Sequence, residues 1–251
     1  MQVVCVIPAR YGSTRLPGKP LADVCGKPLI RWVYERASAA RKVRETFVAT
    51  DDRRIFDAVH AFGGKAIMTT GQYQSGTDRI ADALRNIPCD AVVNLQGDEP
   101  LMHPETIDQT IGVLEKDPSC PVASAMVKIT EEKDYLSPSV VKLACASDGR
   151  VLYFSRSPIP SRARVGTQPE FSGFFGFKHL GLYVYRREAL LAFPALPPSF
   201  LEKIEQLEQL RFLENGYTIK IVETRHDSIG IDTPEDLEAL RARLGREYKS
   251  L

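Results

Sequence analysis

The sequence has almost no net charge. Its 251 residues carry 33 Lys and Arg against 32 Asp and Glu, a formal total of +1, and such neutrality excludes the broad basic surface of a generic nucleic-acid or polyanion binder. Long apolar runs are missing too: no segment approaches the ~20 residues that a membrane-spanning helix needs. The opening Met1-Gln2-Val3-Val4-Cys5-Val6-Ile7 lacks a basic leader, and Pro8 and Arg10 interrupt it before a signal core forms, so a cytoplasmic location is expected. Cysteines are few. Cys5, Cys25, Cys89, Cys120 and Cys145 are odd in number and include no CxxC pair, which argues against a disulfide framework or a thiolate zinc site and reads as small core residues. What is present, 43% hydrophobic and 26% charged residues, is the composition of a folded globular chain.

The neutral total is a cancellation. Residues 1–54 hold 11 basic and 5 acidic side chains, whereas residues 199–240 hold 4 basic and 10 acidic. The first half alternates short β-branched runs with amphipathic stretches: strands at 3–7, 46–49, 65–68 and 91–95, helices at 28–40, 52–62, 78–86 and 103–116. This alternation predicts an α/β fold, a mostly parallel central sheet covered by helices. In such sheets ligands bind beyond the carboxyl ends of strands, which directs attention to the loops after Ile7 and Leu95. The second half is less regular. Strands are expected at 122–129, 140–146, 150–154 and 180–185, a loop at 157–176, and helices at 199–214 and 234–244, the last with Thr233 as N-cap.

After the first strand, Pro8-Ala9-Arg10-Tyr11-Gly12-Ser13-Thr14-Arg15-Leu16-Pro17-Gly18-Lys19-Pro20 carries three cations, two glycines and no carboxylate. Glycines let backbone N–H groups approach a ligand, and Arg and Lys make charge-assisted bonds to phosphate oxygens, so this is chemistry for a polyphosphate. It is neither a Walker A loop nor a GxGxxG fingerprint. Asp98, in Gln96-Gly97-Asp98-Glu99-Pro100 beyond an apolar strand, is either a Mg2+ ligand or part of a turn. Asp232 is either a site carboxylate or an anion stabilised by the helix that follows. Ser75 or Thr77 caps the helix after Gln74, with Thr77 preferred. On a helix spanning 199–214, Glu202, Glu205, Gln206 and Gln209 share an arc of roughly 100° without a basic side chain, which predicts a largely buried helix with one polar stripe.

These segments resemble the sugar-activating nucleotidyltransferases. Pro8-Ala9-Arg10 with Ser13-Thr14-Arg15-Leu16-Pro17-Gly18-Lys19-Pro20-Leu21 carries the resemblance first. Gln74 to Arg79, Asn94 to Pro100, Tyr153-Phe154-Ser155-Arg156, His179-Leu180-Gly181, Glu205 to Arg211 and Gly230 to Leu237 narrow it to the CTP:3-deoxy-D-manno-octulosonate cytidylyltransferase family over nearly the whole length. The resemblance implies a Rossmann-like single domain over 1–251, with about 122–190 forming a β-rich insertion for acceptor binding and dimerisation.

It also implies roles. Pro8, Ala9, Arg10, Gly12, Ser13, Arg15, Lys19, Ser75, Gly76, Arg79, Gln96 and Asp98 would bind the nucleotide, with Ser75 and Gly76 at the pyrimidine edge. Arg156, His179, Tyr183, Glu205, Gln206 and Asp232 would bind the acid sugar. Asp98 and Asp232 would hold Mg2+, and Arg10, Arg15, Lys19, Asp98 and Asp232 would carry catalysis. The expected substrates are CTP and 3-deoxy-D-manno-octulosonate (KDO), the expected assembly a homodimer without nucleic-acid or membrane partners, and the expected pathway lipopolysaccharide synthesis. Lys178 stands where some relatives have Arg, and residues 161–177 depart from the family pattern. The alternatives are a related acceptor, 8-amino-KDO or sialic acid, and a non-catalytic nucleotide-binding module.

Overall fold

Apolar runs without polar interruption form strands buried on both faces, and β1 (Val3–Ala9) is the first of them. The computed structural model describes residues 1–12, 15–73, 75–164 and 172–249. Beyond β1 the chain runs through two short strands, β2 (Asp23–Val24) and β3 (Lys27–Pro28), then α1 (Leu29–Ser38), β4 (Glu45–Thr50), α2 (Arg53–Ala61), β5 (Lys65–Met68), α3 (Gly76–Ala83), β6 (Ala91–Leu95) and α4 (Pro104–Lys116). There follow β7 (Val122–Ile129), α5 (Glu132–Leu136), β8 (Lys142–Cys145), β9 (Val151–Ser155), β10 (Gly176–Arg186), α6 (Arg187–Ala192), α7 (Phe200–Glu205), α8 (Gln209–Glu214), β11 (Ile219–Glu223) and α9 (Pro234–Lys249). Among the described residues no helix is long and apolar enough to cross a membrane.

The chain divides into two compact units, Met1–Asp108 with the stretch from Ser228, and Gln109–Asp227. In the first, four strands pair in the order β6-β1-β4-β5, all parallel. Val6 of β1 lies opposite Phe47 of β4 and Asn94 of β6, so the three strands end at one edge of the sheet. Helices α1, α2 and α3 pack on these strands. Helix α9 buries Leu237, Leu240 and Leu244 against Val24, Leu29 and Trp32, with Ile231 in the same cluster, and the Trp32 indole donates to the Val24 carbonyl at 3.0 Å. The start of α9 is closed as the Thr233-Pro234-x-Asp236 pattern predicts: Thr233 N–H donates to Asp236 Oδ2, and Asp236 N–H donates to Thr233 Oγ1.

In the second unit β7 pairs parallel with β11 and antiparallel with β10, and β8 pairs antiparallel with both β10 and β9. Several expectations are corrected. The helix foreseen over 199–214 is two helices, because Gln206 adopts a left-handed conformation (φ 54°) and ends α7. Its faces also differ: Phe200 and Ile204 are 72% and 67% exposed, and Glu202 pairs with Arg211 instead of lying on a stripe free of cations. Strand β10 starts at Gly176, inside the expected loop, of which 165–171 lie outside the described residues. Of the cysteines only Cys5 and Cys120 are buried, and Cys25 is exposed in the turn between β2 and β3.

Candidate active site

The site lies at the edge where β1 and β6 end. Their close passage requires glycine after β6: a Cβ at Gly97 would come within 2.9 Å of the Pro8 carbonyl oxygen. Around this crossing is a cavity of about 290 Å³ lined by Pro8, Ala9, Arg10, Arg15, Lys19, Pro20, Tyr73, Ser75, Gly76, Arg79, Gln96, Gly97, Asp98 and Asp232. Every residue that the sequence nominates for the nucleotide lines it except Gly12, which is exposed, and Ser13, which lies outside the described residues.

Lys19 is the electrostatic centre. Its ammonium donates to Asp98 Oδ2 at 2.7 Å, to the Ile231 carbonyl at 2.8 Å and to Asp232 Oδ1 at 3.2 Å. The Arg15 guanidinium meets the other oxygen of Asp232 at 3.1 Å. These groups come from distant parts of the chain, and backbone joins them, since Ile231 N–H donates to the Asp98 carbonyl at 2.9 Å. Asp232 is therefore drawn into the site through Ile231, itself anchored in the α9 core. Two carboxylates converging on one point of positive charge are a donor set that suits a hard divalent cation shared with phosphate oxygens.

The opposite wall is built by α3. Ser75, not Thr77, is its N-cap: the Ser75 hydroxyl accepts from Asp78 N–H, and Asp78 Oδ2 accepts from Ser75 N–H. Thr77 is buried and its hydroxyl accepts from Asn94 Nδ2. Gln96 donates from Nε2 to Asn94 Oδ1, so that its amide is ordered from below. Arg79 is only 7% exposed. Its guanidinium donates to Thr69 Oγ1 at 2.7 Å and Asp51 Oδ2 at 2.8 Å and stacks over the Tyr73 ring at 4.9 Å. Tyr73 also lines the cavity and is not among the residues the sequence nominates. Its hydroxyl donates to Asp82 and accepts from Gly71 N–H, and its position in the loop between β5 and α3 is the signal that could have found it.

In the second unit Arg156, Glu205 and Gln206 form one assembly. Glu205 accepts from Tyr153 Oη, Ser155 Oγ and Arg156 N–H, while the Arg156 guanidinium donates to the carbonyls of Glu205, Gln206 and Pro138. Burial raises the Glu205 pKa, but these donors outweigh it and hold the carboxylate below its usual range. His179 and Tyr183 are neighbours, their rings 5.0 Å apart. Ser124 commits its hydroxyl proton to the Leu182 carbonyl, so His179 Nε2, 2.8 Å from the same oxygen, carries the imidazole proton.

Desolvation pushes the His179 pKa down to about 3. The unfolded chain then binds a proton that the folded chain refuses between about pH 6.5 and 3, so stability falls as pH falls across that window. Urea unfolding should show this residue costing about 1.4 kcal/mol per pH unit there, and His179→Gln should flatten the slope. An unchanged slope would place the titration elsewhere.

A family model described as cytidylyltransferase matches residues 4–224. The chain belongs to this family. Among individual cytidylyltransferases, the 3-deoxy-manno-octulosonate cytidylyltransferase of Geotalea uraniireducens is 49% identical over 249 residues, 97% of this chain and 99% of that one. The enzyme of the same name from Thermodesulfovibrio yellowstonii is 49% identical over 246 residues, 95% and 96% of the two chains. A solved CMP:2-keto-3-deoxy-manno-octonic acid synthetase complexed with CTP superposes with a TM-score of 0.91 at 44% identity, covering 98% of this chain and 100% of that one. The 4-diphosphocytidyl-2C-methyl-D-erythritol synthase of Anaerococcus prevotii shares the fold alone, with a TM-score of 0.64 at 15% identity.

Proposed function

We propose that this chain transfers CMP from CTP to the anomeric hydroxyl of KDO, forming CMP-KDO and pyrophosphate. The observation that carries the reading is the convergence of Lys19, Asp98 and Asp232 on one cavity at the strand ends. Near full-length likeness to enzymes named for this reaction supports the choice of substrates.

Nucleotidyl transfer needs positioning and charge neutralisation more than covalent help. Arg10, Arg15 and Lys19 line the cavity and would grip the triphosphate, offsetting the charge that grows on departing pyrophosphate. Lys19 is already held by three oxygens, so little of its orientation has to be created during reaction. Asp98 and Asp232 would hold Mg2+, which when bound neutralises phosphate charge and acidifies a coordinated hydroxyl. Arg79, fixed by Asp51 and Thr69, presents a rigid cation beside Ser75 and Gly76 on the proposed base side. The same proposal makes the protein a cytoplasmic homodimer that supplies activated KDO for lipopolysaccharide synthesis.

Pyrophosphate release tests it, from CTP and Mg2+ with KDO, 8-amino-KDO, sialic acid or no sugar. Release should occur with KDO and stop on chelation of the metal. No release with any acceptor would overturn the transfer reading, and preference for sialic acid or 8-amino-KDO would overturn the acceptor.

A further inference from the structure

The cationic loop after β1 has its own fastening outside the cavity. Gly18 N–H donates to the Tyr11 carbonyl at 3.0 Å, which ties Tyr11 to the residue that precedes Lys19. Gly18 has φ 71°, and a Cβ there would lie 3.1 Å from the Tyr11 ring, so a glycine lets the two ends meet. The Arg54 guanidinium lies over that ring, 3.3 Å from its centroid. Arg54 in turn grips Asp52 with two donors, Nε to Oδ1 at 3.0 Å and NH2 to Oδ2 at 2.6 Å. Asp52 is fixed to the scaffold: it caps α2 through Arg54 N–H, and its own N–H donates to the hydroxyl of Thr50, a fully buried residue at the end of β4.

A continuous series of contacts thus leads from a buried strand end to the residue preceding Lys19. We propose that Tyr11, Arg54 and Asp52 form a latch that positions the phosphate loop for the triphosphate of CTP, a role that rests on the nucleotidyl-transfer reading above. The Arg54 side chain is 59% exposed, so core packing does not force it onto Tyr11; the planar stack and the two-pronged grip on Asp52 do. Arg54 also holds the Asp52 carboxyl below its usual pKa, which keeps the pair charged. None of the three residues lines the cavity. Each acts through Tyr11 and Gly18, and anchor points held before binding lower the entropic cost of binding the nucleotide.

Steady-state kinetics on the full chain test the latch. Arg54→Ala should raise the KM for CTP about twofold to fivefold, the range that corresponds to losing an exposed cation–π contact. Its KM for KDO should stay near wild type and its kcat should change less than its KM for CTP, because Lys19 and the carboxylates remain in place while Arg15 is less firmly positioned. Tyr11→Phe keeps the ring and should keep the CTP KM, whereas Tyr11→Leu should reproduce Arg54→Ala. The double variant Tyr11→Leu/Arg54→Ala should be no worse than the poorer single variant, since both break one latch. An unchanged CTP KM in Arg54→Ala, with or without a fall in Tm, would overturn the proposal, and so would multiplication of the two single effects. Calorimetric CTP affinity of the same variants is read separately. A wild type that binds CTP but transfers nothing would overturn the transfer reading and leave the latch to be decided by those affinities, and a wild type that binds no CTP would overturn both.

Discussion

Asp98→Asn should lower turnover by about a thousandfold or more and leave the unfolding midpoint close to wild type. The substitution keeps the shape of the side chain and an oxygen that can still accept from Lys19 Nζ. It removes one of the two negative charges converging on that point, the other being Asp232. Lys19 is not orphaned, since the Ile231 carbonyl and Asp232 still receive it, and so the fold has no reason to suffer. The chemistry does. A carboxylate pair that holds a divalent cation supplies several kcal/mol of charge stabilisation during transfer, and about 1.4 kcal/mol is a factor of ten in rate. Pyrophosphate release at saturating CTP and KDO, measured beside thermal unfolding, checks both halves. Turnover within about tenfold of wild type would remove Asp98 from the reaction.

Why Asp98 is a candidate in the local sequence, with its turn reading left open, and Asp232 barely one, is a matter of distance along the chain. The runs that become β1, β4 and β6 are β-branched and bounded by turn residues, so the parallel sheet and its ligand edge are written locally. Asp98 follows such a run directly. Asp232 reaches Lys19 across 213 positions, through one backbone bond from Ile231 to Asp98 and the packing of α9. No local periodicity encodes that, and family resemblance supplied it. The two-residue strands β2 and β3 are too short to show alternation. The break at Gln206 has no glycine or proline to announce it. It is sustained from outside the helix by Arg156, whose guanidinium takes the carbonyls of Glu205 and Gln206. For the same reason the polar stripe read along 199–214 does not exist as one face.

That broken segment carries the second large effect, on stability. Arg211→Met should cost about 3–5 kcal/mol, the penalty for removing one partner of a buried ion pair. Arg211 and Glu202 side chains are 5% and 14% exposed, and Arg211 uses two nitrogens on the two carboxylate oxygens. Its guanidinium also stacks on Phe193 at 4.4 Å. The pair ties α7 to α8 across the left-handed Gln206, where no helical hydrogen bonding runs through. Burial raises the Glu202 pKa, and the bonds from Arg211 and Ser199 N–H more than reverse this, so the carboxylate is charged in the native protein. With Arg211 gone, burial dominates and Glu202 prefers its proton. The deficit of Arg211→Met should therefore be largest near neutrality and shrink as the pH falls towards 4.5, the ordinary value for this carboxyl. The double variant Glu202→Leu/Arg211→Met should recover most of the loss, because an apolar pair in a buried site costs no uncompensated charge. Urea unfolding of wild type, single and double variants at neutral and acidic pH measures all three. A double variant as unstable as Arg211→Met would show that the packing of Arg211 on Phe193, and not the charge left on Glu202, sets the cost.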